Sequence, residues 1–204
     1  MVRLAVVVEG ETEGDFVDQV LAPYLLECGV YAKPTSLGGR ISVVRLAGRI
    51  AELFQNFDFV TSLVDFYGFR DRGTRTVDQL ERDIVQGVDG RLRPNWDSRR
   101  VIPYVQLHEF EGLLFSQVSG FLNVPGADQA AIRQLESIRG QFPSPEEIND
   151  DPNTAPSRRI LQVLPDYVKR VDGPQIAQAI GIATIRRESP RFNCWLTRLE
   201  SLAT

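Results

Sequence analysis

In the stretch Arg3-Leu4-Ala5-Val6-Val7-Val8-Glu9-Gly10-Glu11-Thr12-Glu13-Gly14, five consecutive apolar residues give way to a charged segment that contains glycine. An apolar run of that length, bounded by turn residues, reads as a buried strand ending in a loop. A helix is expected next, because Phe16, Val17, Val20, Leu21, Tyr24 and Leu25 recur at helical spacing, with Pro23 as a kink or an early stop. Downstream the unit recurs. Val43, Leu46, Ile50, Leu53 and Phe54 form a helical stripe, and Phe59 to Val64 is a strand ending on Asp65. Val77, Leu80, Ile84, Val85 and Val88 form another stripe, and Val101 to Leu107 is a third strand emptying into His108-Glu109-Phe110-Glu111. Alternation of this kind predicts an α/β fold with a mostly parallel sheet flanked by helices. Ligands of such sheets bind outside the C-terminal strand ends, which here carry acids.

After about residue 120 the pattern turns to helices and proline-punctuated loops. Pro143, Pro145, Pro152, Pro156 and Pro165 surround Glu146-Glu147-Ile148-Asn149-Asp150-Asp151, and Ser157 reads as the cap of a helix through Ile160, Leu161 and Leu164. Phe192, Trp195, Leu196, Leu199 and Leu202 predict a final amphipathic helix with its aromatic residues in the core. The expected organisation is a core over 1–120 and a C-terminal helical annex over 121–204 packed on it.

Composition sets the class. Hydrophobic residues at 43% and charged residues at 25% are ordinary for a globular protein, and no apolar run approaches the ~20 residues of a membrane span, so a cytoplasmic protein is expected. Cys28 and Cys194 lack the number and spacing of a disulfide framework or zinc site and read as reduced, buried thiols. The net charge of -4 argues against a free-standing nucleic-acid binder, yet residues 154–204 carry eight Lys or Arg against four Asp or Glu. An acidic front and a basic tail suit a metal site and phosphate contacts respectively; a solvated charged face is the alternative.

Magnesium and manganese take hard oxygen ligands, and phosphoryl transfer uses such an ion to neutralise charge and activate water. Glu9 and Glu13, four apart at a helix start, can share one helical face. Glu109 and Glu111, two apart, share a side only if that segment is extended. Glu11 or Glu13 taken singly also reads as a helix-start carboxylate favoured by the macrodipole. Acids at three strand ends make a Mg2+ or Mn2+ site built from Glu9, Glu13, Asp65, Glu109 and Glu111 the sharper expectation.

Val8-Glu9-Gly10-Glu11-Thr12-Glu13 resembles the glutamate motif of Toprim domains, particularly the branch called overcoming-lysogenization-defect nucleases. Asp65-Phe66-Tyr67 is similar to the second Toprim motif, usually Asp-x-Asp, and Glu109-Phe110-Glu111 to the paired acids that follow in that branch. Over nearly its whole length the chain also resembles a family of small bacterial Toprim-like proteins of unknown function. The blocks that carry this are Pro103 to Glu111, Pro145 to Asp150, Ala155 to Ile160 and Phe192 to Leu196.

The resemblance implies a Toprim fold and two-metal cleavage of nucleic acid, with DNA favoured and RNA left open, beside a separate ATPase in a bacterial defence or DNA-processing system. Glu9, Asp65 and Lys169 would be its catalytic residues, Lys169 stabilising the developing phosphate charge. Tyr67 stands where the second acid is usual, which removes one metal ligand. That departure favours the alternative of a catalytically weak Toprim module that regulates an ATPase or binds nucleic acid. No Gly-x-x-x-x-Gly-Lys-Ser/Thr loop occurs, so any ATPase is a partner.

Arg158, Arg159, Arg186 and Arg187 are the phosphate-contact candidates, because guanidinium forks match phosphate oxygens. His108, the only histidine, is expected either to orient Glu109 or to act as an acid or base.

Overall fold

The computed structural model describes residues 1–149 and 154–203. Strand β1 (Val2–Val8) lies centrally, between β2 (Val30–Ser36) and β3 (Phe59–Asp65), and β3 then pairs with the two-residue strands β4 (Val101–Ile102) and β5 (Val105–Gln106). Every one of these pairings is parallel. The continuous apolar run in β1 has its reason here. Leu4, Val6 and Val8 enter one core, Ala5 and Val7 the other, and none of the five is more than 1% exposed. Burying each large aliphatic side chain contributes about 1.5–3 kcal/mol, so a strand covered on both faces has no use for alternation.

One face is covered by α3 (Val43–Leu53) and α4 (Val77–Asp89), both capped as their sequences dictate, Ser42 accepting from the Arg45 N–H and Thr76 from the Gln79 N–H. The other face carries α1 (Glu11–Phe16), α2 (Ala22–Glu27) and α5 (Glu111–Leu114). With them pack α6 (Gln129–Arg139), α7 (Pro156–Val163), α8 (Lys169–Ile180), α9 (Ile182–Glu188) and α10 (Pro190–Glu200). Phe192 of α10 sits against Phe16, with ring centroids 6.4 Å apart, and Trp195 stacks on Tyr104 at 4.6 Å, so both are core residues as expected.

Several local expectations change. Pro23 does not stop its helix: a π-helical segment over Val17–Leu21 joins α1 to α2, and the Ala22 N–H reaches back five residues to the Val17 carbonyl. The wider turn relieves the clash a proline ring makes with the preceding turn. The third strand is not continuous. Pro103 cannot donate to the ladder, and Ser62 bridges the break, its hydroxyl accepting the Tyr104 N–H and donating to the Tyr104 carbonyl at 3.0 Å each. Ser157 is the second residue of α7, not its cap. Cys28 and Cys194 are free thiols, but Cys28 is half-buried and Cys194 exposed. Pro152, Asp150 and Asp151 lie outside the described residues.

Candidate functional site

The C-terminal ends of β1, β3 and β5 open on one cleft of about 380 Å3, lined by Glu9, Gly10, Glu11, Thr12, Glu13, Asp65, Tyr67, Gly68, Glu109 and Lys169. Glu111 lies beneath it, fully buried. The sheet register explains the gathering: Val8 is level with Leu63 and Asp65 with Gln106, so parallel strands end together at one edge. Glu13 comes back from the first turn of α1, where its Oε2 accepts the Gly10 N–H at 3.2 Å. Asp65 Oδ1 accepts the Phe110 N–H at 2.8 Å, which ties the end of β3 to the start of α5.

Glu109 and Glu111 come together by a route other than the extended one. His108 adopts a left-handed backbone (φ 65°), Phe110 is helical and Glu111 opens α5. A left-handed non-glycine residue is strained, and here the strain turns the chain so that neighbouring acids approach the cleft from above and below. Glu109 Oε2 accepts the Ser157 N–H at 3.1 Å, so the capping role expected of Ser157 falls to an acid from 48 residues away. His108 faces Tyr67, ring centroids 5.4 Å apart, and its carbonyl accepts the Tyr67 N–H.

Lys169, the first residue of α8, brings its ammonium to 3.0 Å from Glu111 and 3.9 Å from both Glu13 and Asp65. At Gly173 the helix packs directly on its neighbours, a Cβ there lying 3.3 Å from the Tyr167 hydroxyl and 3.5 Å from Phe110 and Thr12. Next to Lys169, Arg170 pairs with Glu11 at 2.6 Å and Asp15 at 3.5 Å, latching α8 to α1 a second time.

Charge is crowded. Burial first, then Glu13 and Glu109, push Glu9 above the ordinary carboxylate range, with Lys169 opposing. Burial pushes Asp65 well above it; Lys169 opposes, while Glu13, Glu111 and Glu9 add to the rise. Glu111 is raised by burial against the pull of Lys169, and its Oε1 has no hydrogen-bond partner. For Lys169, burial favours the neutral amine, but Asp65, Glu111 and Glu13 outweigh it and the ammonium is held firmly charged.

All five acids and Lys169 therefore meet at one place. Among the described residues, no His, Cys, Asp or Glu side chains form a group that could hold a metal ion in this arrangement. The arginines are dispersed, and none lines the cleft. Arg158 is exposed on α7, while Arg159 donates to the Thr154 carbonyl and lies over the Phe142 ring. Arg187 pairs with Glu188. Arg186 is enclosed by Asn193, Tyr24, Thr197 and Glu200, all at 2.6–3.2 Å, so its guanidinium serves the fold and has no fork left for phosphate.

Gly68 was silent in the sequence. A Cβ there would meet Glu9 Oε2 at 2.5 Å and Ile41 at 2.7 Å, so only glycine leaves the Glu9 carboxylate its place. The larger cavity of about 710 Å3, lined by Asp78, Arg82, Trp96, Arg99 and others, holds none of the predicted residues. Its acids are committed, Asp78 and Glu81 to Arg191 and Asp89 to the Trp96 indole.

Fold and site together define an α/β protein whose parallel sheet delivers acids from separate strand ends to one cleft beside a fixed ammonium. The chain belongs to the family described as a domain of unknown function (DUF4276), whose model matches residues 8–200. Its fold is similar to three solved structures of the C-terminal region of the Xanthomonas campestris pv. campestris OLD protein. They are 14–15% identical with TM-scores of 0.50–0.51, covering 98–99% of this chain and 94–95% of theirs. No curated protein matches the chain. Among the described residues, no helix is long and apolar enough to cross a membrane.

Proposed function

We propose that this chain is a magnesium- or manganese-dependent nuclease of the Toprim type that hydrolyses a phosphodiester of nucleic acid, DNA rather than RNA, in concert with a separate ATPase in bacterial defence or DNA processing. The observation that carries the reading is the convergence of Glu9, Glu13, Asp65, Glu109 and Glu111 with Lys169 in one cleft. The chemistry of that set fits a hard divalent cation. Five carboxylates gather around one ammonium that faces three of them, Glu9, Asp65 and Glu111 are held above their usual range, and Glu111 Oε1 is buried without a partner. Loading requires the side chains to turn toward one another, because no group of them is arranged for an ion as it stands. When bound, the ion would neutralise the scissile phosphate and lower the pKa of a water molecule.

The chain's own residues supply the rest. Glu9, open to the cleft and freed by Gly68, faces the incoming phosphate and positions or deprotonates the attacking water. Asp65, fixed by the Phe110 N–H, holds its carboxylate in register with Glu9. Lys169, partly exposed and anchored on Glu111, presents a fixed positive charge where the phosphate oxygens gain charge. The likeness of the sequence motifs to overcoming-lysogenization-defect nucleases, and of the fold to the OLD protein's C-terminal region, support the assignment. Tyr67 on the cleft wall favours the second reading, a regulatory module. Incubation with supercoiled plasmid and with labelled RNA in Mn2+, Mg2+ or EDTA tests the choice. Metal-dependent plasmid nicking is expected, and no cleavage of either substrate with any metal would leave the regulatory reading.

A further inference from the structure

The carboxylate oxygens of the cleft divide into two sets. Lys169 Nζ faces Glu111 Oε2, Glu13 Oε1 and Asp65 Oδ2. The other oxygens of Glu13 and Asp65 accept the N–H groups of Gly10 and Phe110. Both oxygens of these two acids are therefore engaged. At the rim the situation differs. Glu109 has only its Oε2 engaged, and among the described residues no hydrogen bond reaches the Glu9 carboxylate.

We infer that the Lys169 ammonium is the resident cation of the inner acids Glu13, Asp65 and Glu111, so that the cleft takes up a single divalent ion, on its Glu9 and Glu109 side, rather than two. This rests on the metal-dependent reading above and adds to it the number of ions and the residue that sets it. Two independent features support it. Tyr67 lines the cleft two residues after Asp65 and brings no carboxylate there to balance a second dication. Lys169 is also not a loose surface lysine: Gly173 seats α8 against Thr12 and Phe110, and Arg170 latches the next residue to Glu11 and Asp15. An ammonium so held repels a dication placed among the same oxygens, and the repulsion disappears with the charge.

The test is calorimetric titration of metal-free protein with Mn2+, for wild type, Lys169→Gln and Lys169→Arg, with melting temperatures taken alongside. Wild type and Lys169→Arg should each bind one ion per chain. Lys169→Gln should bind a second, about tenfold or more tighter than any second binding in wild type. Without metal it should also melt lower than wild type, because three acids lose their counter-charge. Two ions in wild type, or one ion at unchanged affinity in a folded Lys169→Gln protein, would overturn the inference and leave the nuclease reading standing. No Mn2+ bound by any of the three would overturn the metal-dependent reading and this inference with it.

Discussion

Glu111 and Glu146 are both buried carboxylates, at 0% and 3% exposure, and burial pushes both above the ordinary range, but their surroundings differ. Glu146 accepts the Arg191 and Phe192 N–H groups at 2.9 and 3.0 Å, capping α10 from a distance, and faces the Tyr104 hydroxyl. Those donors pull its pKa back down. Nearby, Glu81 accepts the Val105 N–H and the Arg191 guanidinium, and the Trp195 indole donates to Thr61. Around Glu111 the neighbours are other acids, and one ammonium answers several of them. Glu146 is met by backbone donors, whereas Glu111 is met by like charge and a single ammonium, which costs stability in the resting protein.

The largest effect should separate activity from folding. Glu9→Gln should lower cleavage by about a thousandfold or more while leaving the melting temperature near that of wild type, because its carboxylate accepts no hydrogen bond among the described residues. A Gln variant that nicks plasmid at the wild-type rate would remove Glu9 from the chemistry. Glu146→Ala should do the reverse. It strands two N–H groups in the core, for a loss of about 2–4 kcal/mol in denaturant unfolding, with unchanged turnover per folded molecule.

Smaller effects sharpen the contrast. Asp65→Asn keeps an oxygen for the Phe110 N–H and removes one of the repelling charges, so the metal-free variant should be at least as stable as wild type. Metal should still stabilise it by most of the about 1.4 kcal/mol that linkage gives with free metal at ten times its dissociation constant, since the ion sits on the Glu9 and Glu109 side. A metal-free Asp65→Asn protein that melts well below wild type would make Asp65 a structural carboxylate like Glu146.

Glu9, Asp65 and Glu111 have folded pKa values above their unfolded ones, so the native state binds more protons than the unfolded chain between the two, and stability falls as pH rises through that window. Metal-free melting temperature should therefore decline as pH rises from about 5 toward neutrality, with metal flattening the slope. A rise over that range would show that these three acids are not held above their unfolded pKa values in the folded protein. Least of all, Arg158→Ala should reduce the slope of log K for DNA against log salt by about one, since Arg158 is the exposed member of its pair. An unchanged slope would leave phosphate contact to other residues.

Much of this was legible because β1, β3 and the helices α3 and α4 announce themselves by apolar pattern, and the acids follow the strands directly. What was hidden depends on partners remote in sequence. Strand β2 escaped notice because Pro34 argues against a strand, although the outermost position in the sheet tolerates it. Glu109 and Glu111 looked compatible only if extended, because nothing in the sequence marks His108 as left-handed. Glu146 reads as one acid in a polar loop, and its role exists only once α10 arrives. Arg186 looks like any basic surface residue until Tyr24 and Glu200 close on it.

The docking of α8 has a kinetic consequence. Lys169 belongs to the last third of the chain, as does the Trp195 indole that bonds Thr61 from 134 residues away, whereas the inner acids it neutralises lie in the first two thirds. During folding the sheet edge must close several long loops before its own counter-charge reaches it, and such closures are slow. Until then the edge carries bare carboxylates that repel one another. A divalent cation or raised ionic strength, by screening that repulsion early, should speed refolding more than it slows unfolding, so that the cleft's charge is felt as a folding rate.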